Sequence, residues 1–246
     1  MHAATPPALV IDGTASIGGA PLFGPVRLDA AAGRITCLLG PSGVGKTTLL
    51  RLVAGTDEVT RFDGTIAASD GAPVPARVAL MAQGADLLPW LDVTANVTLG
   101  ARLRGERPDL ARARDILART GLSDHAHKQP HALSGRQRQR AALARTLMED
   151  RPLVLLDEPF SALDAGTRAQ MQELGAHHLA GRTVLMVTHD PGEAARMGHA
   201  IHILGADGIE TVAPPAAPVP RPVDDAETLE VQGRLLARLR AQGAAA

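Results

Sequence analysis

Residues 40–47 read Gly40-Pro41-Ser42-Gly43-Val44-Gly45-Lys46-Thr47, a complete G-x-x-x-x-G-K-[ST] pattern. The flanks agree with it. Ile35-Thr36-Cys37-Leu38-Leu39 is a short apolar run that predicts a buried strand, and Thr47-Thr48-Leu49-Leu50-Arg51-Leu52-Val53 predicts a helix. Strand, glycine-rich loop and helix in this order make a cradle for phosphates. The glycines let backbone N–H groups turn inward, and the helix N-terminus adds positive potential. Lys46 then supplies a point charge to the β- and γ-phosphates, and the Thr47 hydroxyl is a ligand for Mg²⁺. The only other lysine is Lys128, in a chain rich in arginine, which sets Lys46 apart. Cys37, inside the strand, reads as a buried structural thiol.

At 246 residues with 45% hydrophobic content, the chain can fill one large core or a core with a subdomain. Lys+Arg 25 against Asp+Glu 26 leaves a formal charge of -1, so no global basic field favours a nucleic-acid partner. A single cysteine excludes an internal disulfide framework and fits a reducing compartment. No apolar run approaches the ~20 residues that span a bilayer, and the opening MHAATPPALVIDG lacks the basic-then-apolar order of a secretion signal. A soluble, cytoplasmic chain is expected.

Leu153-Val154-Leu155-Leu156 is continuously apolar, as a doubly covered parallel strand is, and ends in Asp157-Glu158. Carboxylates at the C-terminal end of such a strand face the ligand crevice. Asp157 is expected in the Mg²⁺ shell, and Glu158 is expected to polarise an attacking water. A third strand, Thr183 to Thr188, ends in His189-Asp190. Leu133-Ser134-Gly135-Arg136-Gln137 opens a further helix: Ser134 suits an N-cap, and Ala141, Leu143, Ala144 and Leu147 supply the apolar stripe.

Taken in order, the phosphate loop, Gln83 after the strand Val78–Met81, LSGRQ at 133–137, LLDEP at 155–159, Ser161-Ala162-Leu163-Asp164 and His189 resemble an ATP-binding-cassette (ABC) ATPase over essentially the whole chain. The resemblance implies an α/β fold: a P-loop NTPase, RecA-like core with an antiparallel β region and an inserted helical subdomain. The ATPase domain would span 1–212, with the core at 1–82 and 150–205 and the helical subdomain at about 84–149. A Pro-rich linker and a C-terminal amphipathic helix carrying Leu229, Leu235, Leu236 and Leu239 would fill 213–246. It also implies a head-to-tail homodimer or paired ATPase subunit. There ATP and Mg²⁺ lie between residues 40–48 of one chain (Gly40 through Thr48) and Ser134, Gly135, Arg136, Gln137 and Asp164 of the other. Gln83 would join Thr47 and Asp157 at the metal, and Gln83, Glu158 and His189 would serve catalysis.

Two positions depart from the family pattern. Arg136 stands where a second glycine is usual, bringing positive charge towards the phosphate. Ile17 stands where an aromatic ring usually stacks on adenine, and the chain has no tyrosine. Gln83 continuing into Leu87-Leu88-Pro89-Trp90, with Pro220-Arg221-Pro222 before the last helix, resembles importer ATPases of the nitrate, sulfonate and taurine group, and among them those feeding hydroxymethylpyrimidine to the cell. That subclass implies transmembrane permease subunits docking at Gln83–Trp90, a solute-binding protein acting indirectly, and a place on the inner face of the cell membrane. The rival readings are a soluble ABC ATPase, a small-molecule kinase and a nucleotide sensor with weak hydrolysis. The first would call for a coiled-coil insertion, tandem cassettes or a basic patch, and the second gives no reason for LSGRQ, Gln83 and His189 together.

Overall fold

Strands β1 (Leu9–Ile17) and β2 (Ala20–Ala30) form a hairpin around Gly18-Gly19, both at positive φ as a tight two-residue turn requires. Then follow β3 (Ile35–Leu39), α1 (Lys46–Ala54), β4 (Arg61–Ala68) and β5 (Val78–Met81). Between β5 and the next strand the chain is helical: α2 (Val93–Val97), α3 (Leu99–Leu103), α4 (Leu110–Arg119) and α5 (Gly135–Met148). The rest alternates through β6 (Leu153–Asp157), α6 (Ala165–Leu179), β7 (Thr183–Val187), α7 (Pro191–Met197), β8 (Ala200–Gly205) and β9 (Gly208–Val212), and closes with α8 (Ala226–Ala244). This computed structural model describes residues 5–206 and 208–244; residues 1–4 and 245–246, the outer ends of the first and last assigned segments, lie outside the described residues.

Two sheets result. A three-stranded antiparallel sheet runs β2-β1-β4, and a six-stranded sheet runs β5-β6-β7-β3-β8-β9, parallel except for β9. Every residue of β3, β6 and β7 is buried, because helices or the smaller sheet cover both faces. Side chains alternate between two cores. Leu38, Leu155, Leu185 and Val187 face Leu49, Leu50 and Val53 of α1 and Phe23 and Leu28 of the small sheet. Cys37, Leu39, Leu156 and Met186 face α5 and the helices packed with it. Burial pushes the Cys37 thiol far above its usual range, so it stays protonated and packs as a small apolar side chain. Val187 lies opposite both Leu38 and Asp157, so the parallel register brings the C-terminal ends of β3, β6 and β7 side by side.

The end of the chain differs from its sequence reading in two ways. The 213–223 run, read as a break from the core, is sewn to α7. Arg221 is buried, its Nη1 donating to the carbonyls of Ala195 and Gly198 (2.8 Å each) and its Nη2 to Pro215 O (2.6 Å). A guanidinium has donors enough to satisfy carbonyls left open at a helix end, and this one holds the segment down. In α8 the buried stripe is Thr228, Val231 and Leu235, with Leu239 partly covered. Leu229 and Leu236 are exposed, because their helical phase turns them outward.

Candidate functional site

The phosphate loop leaves β3 at Gly40 and enters α1 at Lys46. Gly40, Gly43 and Gly45 adopt φ of 153°, 84° and 99°, values that an L side chain rarely takes. Gly45 is the N-cap of α1 and offers no side chain, so the first-turn amides of α1 lack a capping partner and remain available to an anion. Lys46 is buried, and its Nζ donates to Gly40 O and Pro41 O at 2.8 Å each. Burial pulls the ammonium below its usual range, with the charges of Glu158 and Asp157 opposing. Pro41 and Val44 face away, towards the β8–β9 turn. Ser42, Gly43, Gly45 and Lys46 with Thr47 and Thr48 line a cleft of about 300 Å³, which Gln83 and Glu158 also line and Gly40 does not.

Asp157 ends β6 fully buried. The Thr47 hydroxyl donates to it, while its Oδ1 has no hydrogen-bond partner. Burial raises its pKa and Glu158 adds to the shift, against the Thr47 hydrogen bond and the Lys46 charge. The Thr47 hydroxyl, the unsatisfied Asp157 oxygen and the Gln83 amide are hard oxygen donors of the kind that would suit Mg²⁺. Among the described residues no cluster of three or more His, Cys, Asp or Glu could hold a metal.

Glu158 takes φ 49°, unusual for a non-glycine residue. Its side chain lies 3.0 Å from His189 Nδ1 through Oε1. Its backbone is pinned from three sides. Its N–H donates to Val187 O (2.9 Å), and its carbonyl accepts from Ser161 Oγ (3.1 Å) and from Gln139 Nε2 (3.0 Å). Gln139 also donates to Pro159 O at 3.1 Å. The sequence reading missed Gln139. The available signal was its phase: it sits four residues before Leu143, on the buried stripe of α5, where a polar side chain must find partners.

Ser134, Gly135, Arg136, Gln137 and Asp164 do not line this chain's cleft. Ser134 caps α5: its Oγ accepts from Gln137 N (3.3 Å), and its own N–H donates to Gln137 Oε1 (2.8 Å), a closed capping box. The Gln137 amide nitrogen meets His125, so this side chain serves the helix start from both ends. Arg136 extends into solvent with Nη1 3.5 Å from Asp164 Oδ2. Asp164 caps α6 through Thr167 N (3.1 Å). The Thr167 amide, and less strongly Arg136, hold its carboxyl below the usual range. Ile17 is exposed at the hairpin, and Phe23 is buried beneath the loop, where a Cβ on Gly45 would lie 2.7 Å from its ring. Phe23 therefore supports the loop and offers no exposed face for a base.

Trp90 is 68% exposed, on a loop fixed by buried Asn96. The Asn96 Oδ1 accepts from Leu88 N (2.8 Å) and its Nδ2 donates to the carbonyls of Leu88, Leu91 and Asp92. The indole is displayed by a rigid support rather than packed against the core.

The profile of the ABC transporter family matches residues 23–161. An uncharacterized ABC transporter ATP-binding protein of Haemophilus influenzae is 39% identical over 91% of this chain and 95% of its own length. The aliphatic sulfonates import ATP-binding protein SsuB 1 of Paracoccus denitrificans is 41% identical over 85% of this chain and 84% of its own, and SsuB 2 of Pseudomonas aeruginosa is 42% identical over 88% and 78%. Among solved structures, an ATP-binding cassette in a dimeric post-hydrolysis state with ADP and Pi superposes with TM-score 0.72 at 26% identity, over 85% of this chain and all of that one. A bacterial Atm1-family ABC exporter with ATP bound shares the fold at TM-score 0.77 and 21% identity; 96% of this chain is covered, and it spans 43% of the exporter chain. Fold and sequence relatives agree with the phosphate-binding geometry: the chain belongs to the ABC transporter family, as an ATP-binding protein that hydrolyses ATP.

Proposed function

We propose that the chain is the ATP-hydrolysing subunit of a binding-protein-dependent importer for small solutes of the sulfonate type, working on the inner face of the cell membrane. The observation that carries this reading is identity of about two fifths, across most of both chains, to proteins named as aliphatic sulfonates import ATP-binding proteins. Among the described residues no helix is long and apolar enough to cross a membrane; in this reading the pathway belongs to permease subunits.

In this reading two chains pair head to tail, and each ATP lies between one chain's phosphate loop and the other's Ser134–Gln137 segment. Loop amides and Lys46 bind the phosphates, and Glu158 accepts a proton from the attacking water while His189 orients its carboxylate. A bound Mg²⁺, held by Thr47, Asp157 and Gln83, would neutralise charge on the β- and γ-phosphates. Closure excludes water and strengthens every charge in the site, and reopening moves the permease.

Trp90, exposed on the Asn96-supported loop that follows Gln83, supports permease docking there. It is the only tryptophan, so its emission reports one place. Adding the cognate permease in detergent should shift that emission more than ATP does. A shift with ATP and none with permease would overturn the docking role.

A further inference from the structure

His189 is 59% exposed in its side chain, so packing does not fix its ring. Its orientation comes from the residues on either side. Thr188 Oγ1 donates to Glu193 Oε2 at 2.7 Å and accepts from Asp190 N at 3.0 Å, and Glu193 is buried. Asp190 divides its carboxylate: Oδ1 accepts from Gly192 N (2.8 Å), capping α7, and Oδ2 lies 2.8 Å from Arg168 Nη1. The same guanidinium donates through Nη2 to Leu163 O (3.0 Å), and its Nε sits 3.8 Å from Glu193 Oε1. One side chain of α6 thus donates to the carbonyl just before Asp164 and to Asp190, and brings its charge near Glu193.

We infer that Arg168 is a positioning residue for hydrolysis, joining the Ser161–Asp164 turn to the Thr188–Asp190 turn so that His189 is presented to Glu158. The planar fork of arginine suits this, because two nitrogens can serve different elements at once. Asp164 is the far end of the chain of contacts, through its ion pair with Arg136 at the start of α5. A shift of the 161–164 turn therefore reaches His189 through one rigid link. The role rests on the hydrolytic assignment of Glu158 and His189.

The test is steady-state ATPase and equilibrium ATP binding on Arg168→Ala, His189→Ala and the double variant, with Glu158→Gln as reference. Arg168→Ala should lower kcat about ten- to hundredfold, the scale of a misplaced catalytic group, with the ATP Kd within about twofold. In the His189→Ala background it should cost little more, because it acts through His189. Asp190→Asn, which keeps the α7 cap and removes the charge facing Arg168, should reproduce the kcat loss and guards against misfolding of the alanine variant. Multiplicative losses in the double variant, or a Kd that rises in step with the fall in kcat, would overturn the positioning role. A Glu158→Gln variant that retains full turnover would instead overturn the catalytic reading on which it rests.

Discussion

Lys46 donates to two carbonyls of its own loop, at Gly40 and Pro41, and burial holds its ammonium below the usual range. Contact with a phosphate would give that buried charge an anionic partner. Lys46→Ala should lose that partner and weaken ATP binding about tenfold or more. Glu158 acts on a different quantity. Glu158→Gln keeps shape and backbone bonds but removes the base, so kcat should fall at least ~10²-fold while ATP binding survives. Nucleotide titration alongside phosphate-release assays separates the two, and parallel losses for both variants would count against the division. At this scale Lys46 and Glu158 were legible because each sits in a short motif at a strand end. Gln139, Arg168 and Glu193 were not, because each lies inside a helix and finds its partners on another element. Only the packing of α5, α6 and α7 gives them meaning.

The start of α5 is stabilised twice, by the Ser134–Gln137 capping box and by Gln139 against the 158–159 carbonyls. Arg136 is free of both tasks, and its ion pair with Asp164 is solvent-exposed, worth little within one chain. Its charge then remains available to a partner's phosphate. Arg136→Gly should keep ATPase activity but weaken ATP-driven dimerisation, whereas Arg136→Glu should suppress both, facing Asp164 as well as the anion. Size-exclusion chromatography with ATP in a Glu158→Gln background compares them, and dimerisation of Arg136→Glu equal to the parent would remove the segment from the nucleotide. Among elements, β3, β6 and β7 were readable as short apolar runs because both of their faces are covered. The α8 stripe was misassigned because leucine content does not fix helical phase; Val231 points inward and Leu229 outward. The Pro-rich tail read as a linker because one buried arginine, Arg221, supplies its anchorage.

Over the whole molecule, a buried acid behind the catalytic strands ties stability to pH. Burial raises Glu193 to about 7, with Asp190 adding to the shift, while the Thr188 hydrogen bond, Arg168 and His189 oppose it; Cys37 packs behind it as a neutral thiol. The folded form therefore holds this proton more tightly than the unfolded chain does. The associated stability is fully present below about 4.5 and is lost as pH rises through about 7. Across that window the loss is roughly 3 kcal/mol. Urea unfolding of the parent and Glu193→Gln at pH 5 and pH 8 should show the parent losing stability relative to the variant by an amount of this order; matched pH dependence would rule it out. The last consequence follows from the Ser134 segment lying outside the cleft of its own chain. Under head-to-tail pairing, every polypeptide carries one half of two different sites. A chain defective at Lys46 and a chain defective at Ser134 would then complement each other: their mixed dimer rebuilds one whole site, while two copies of either rebuild none. Defects in the two halves would behave like mutations in separate genes, although a single gene encodes both.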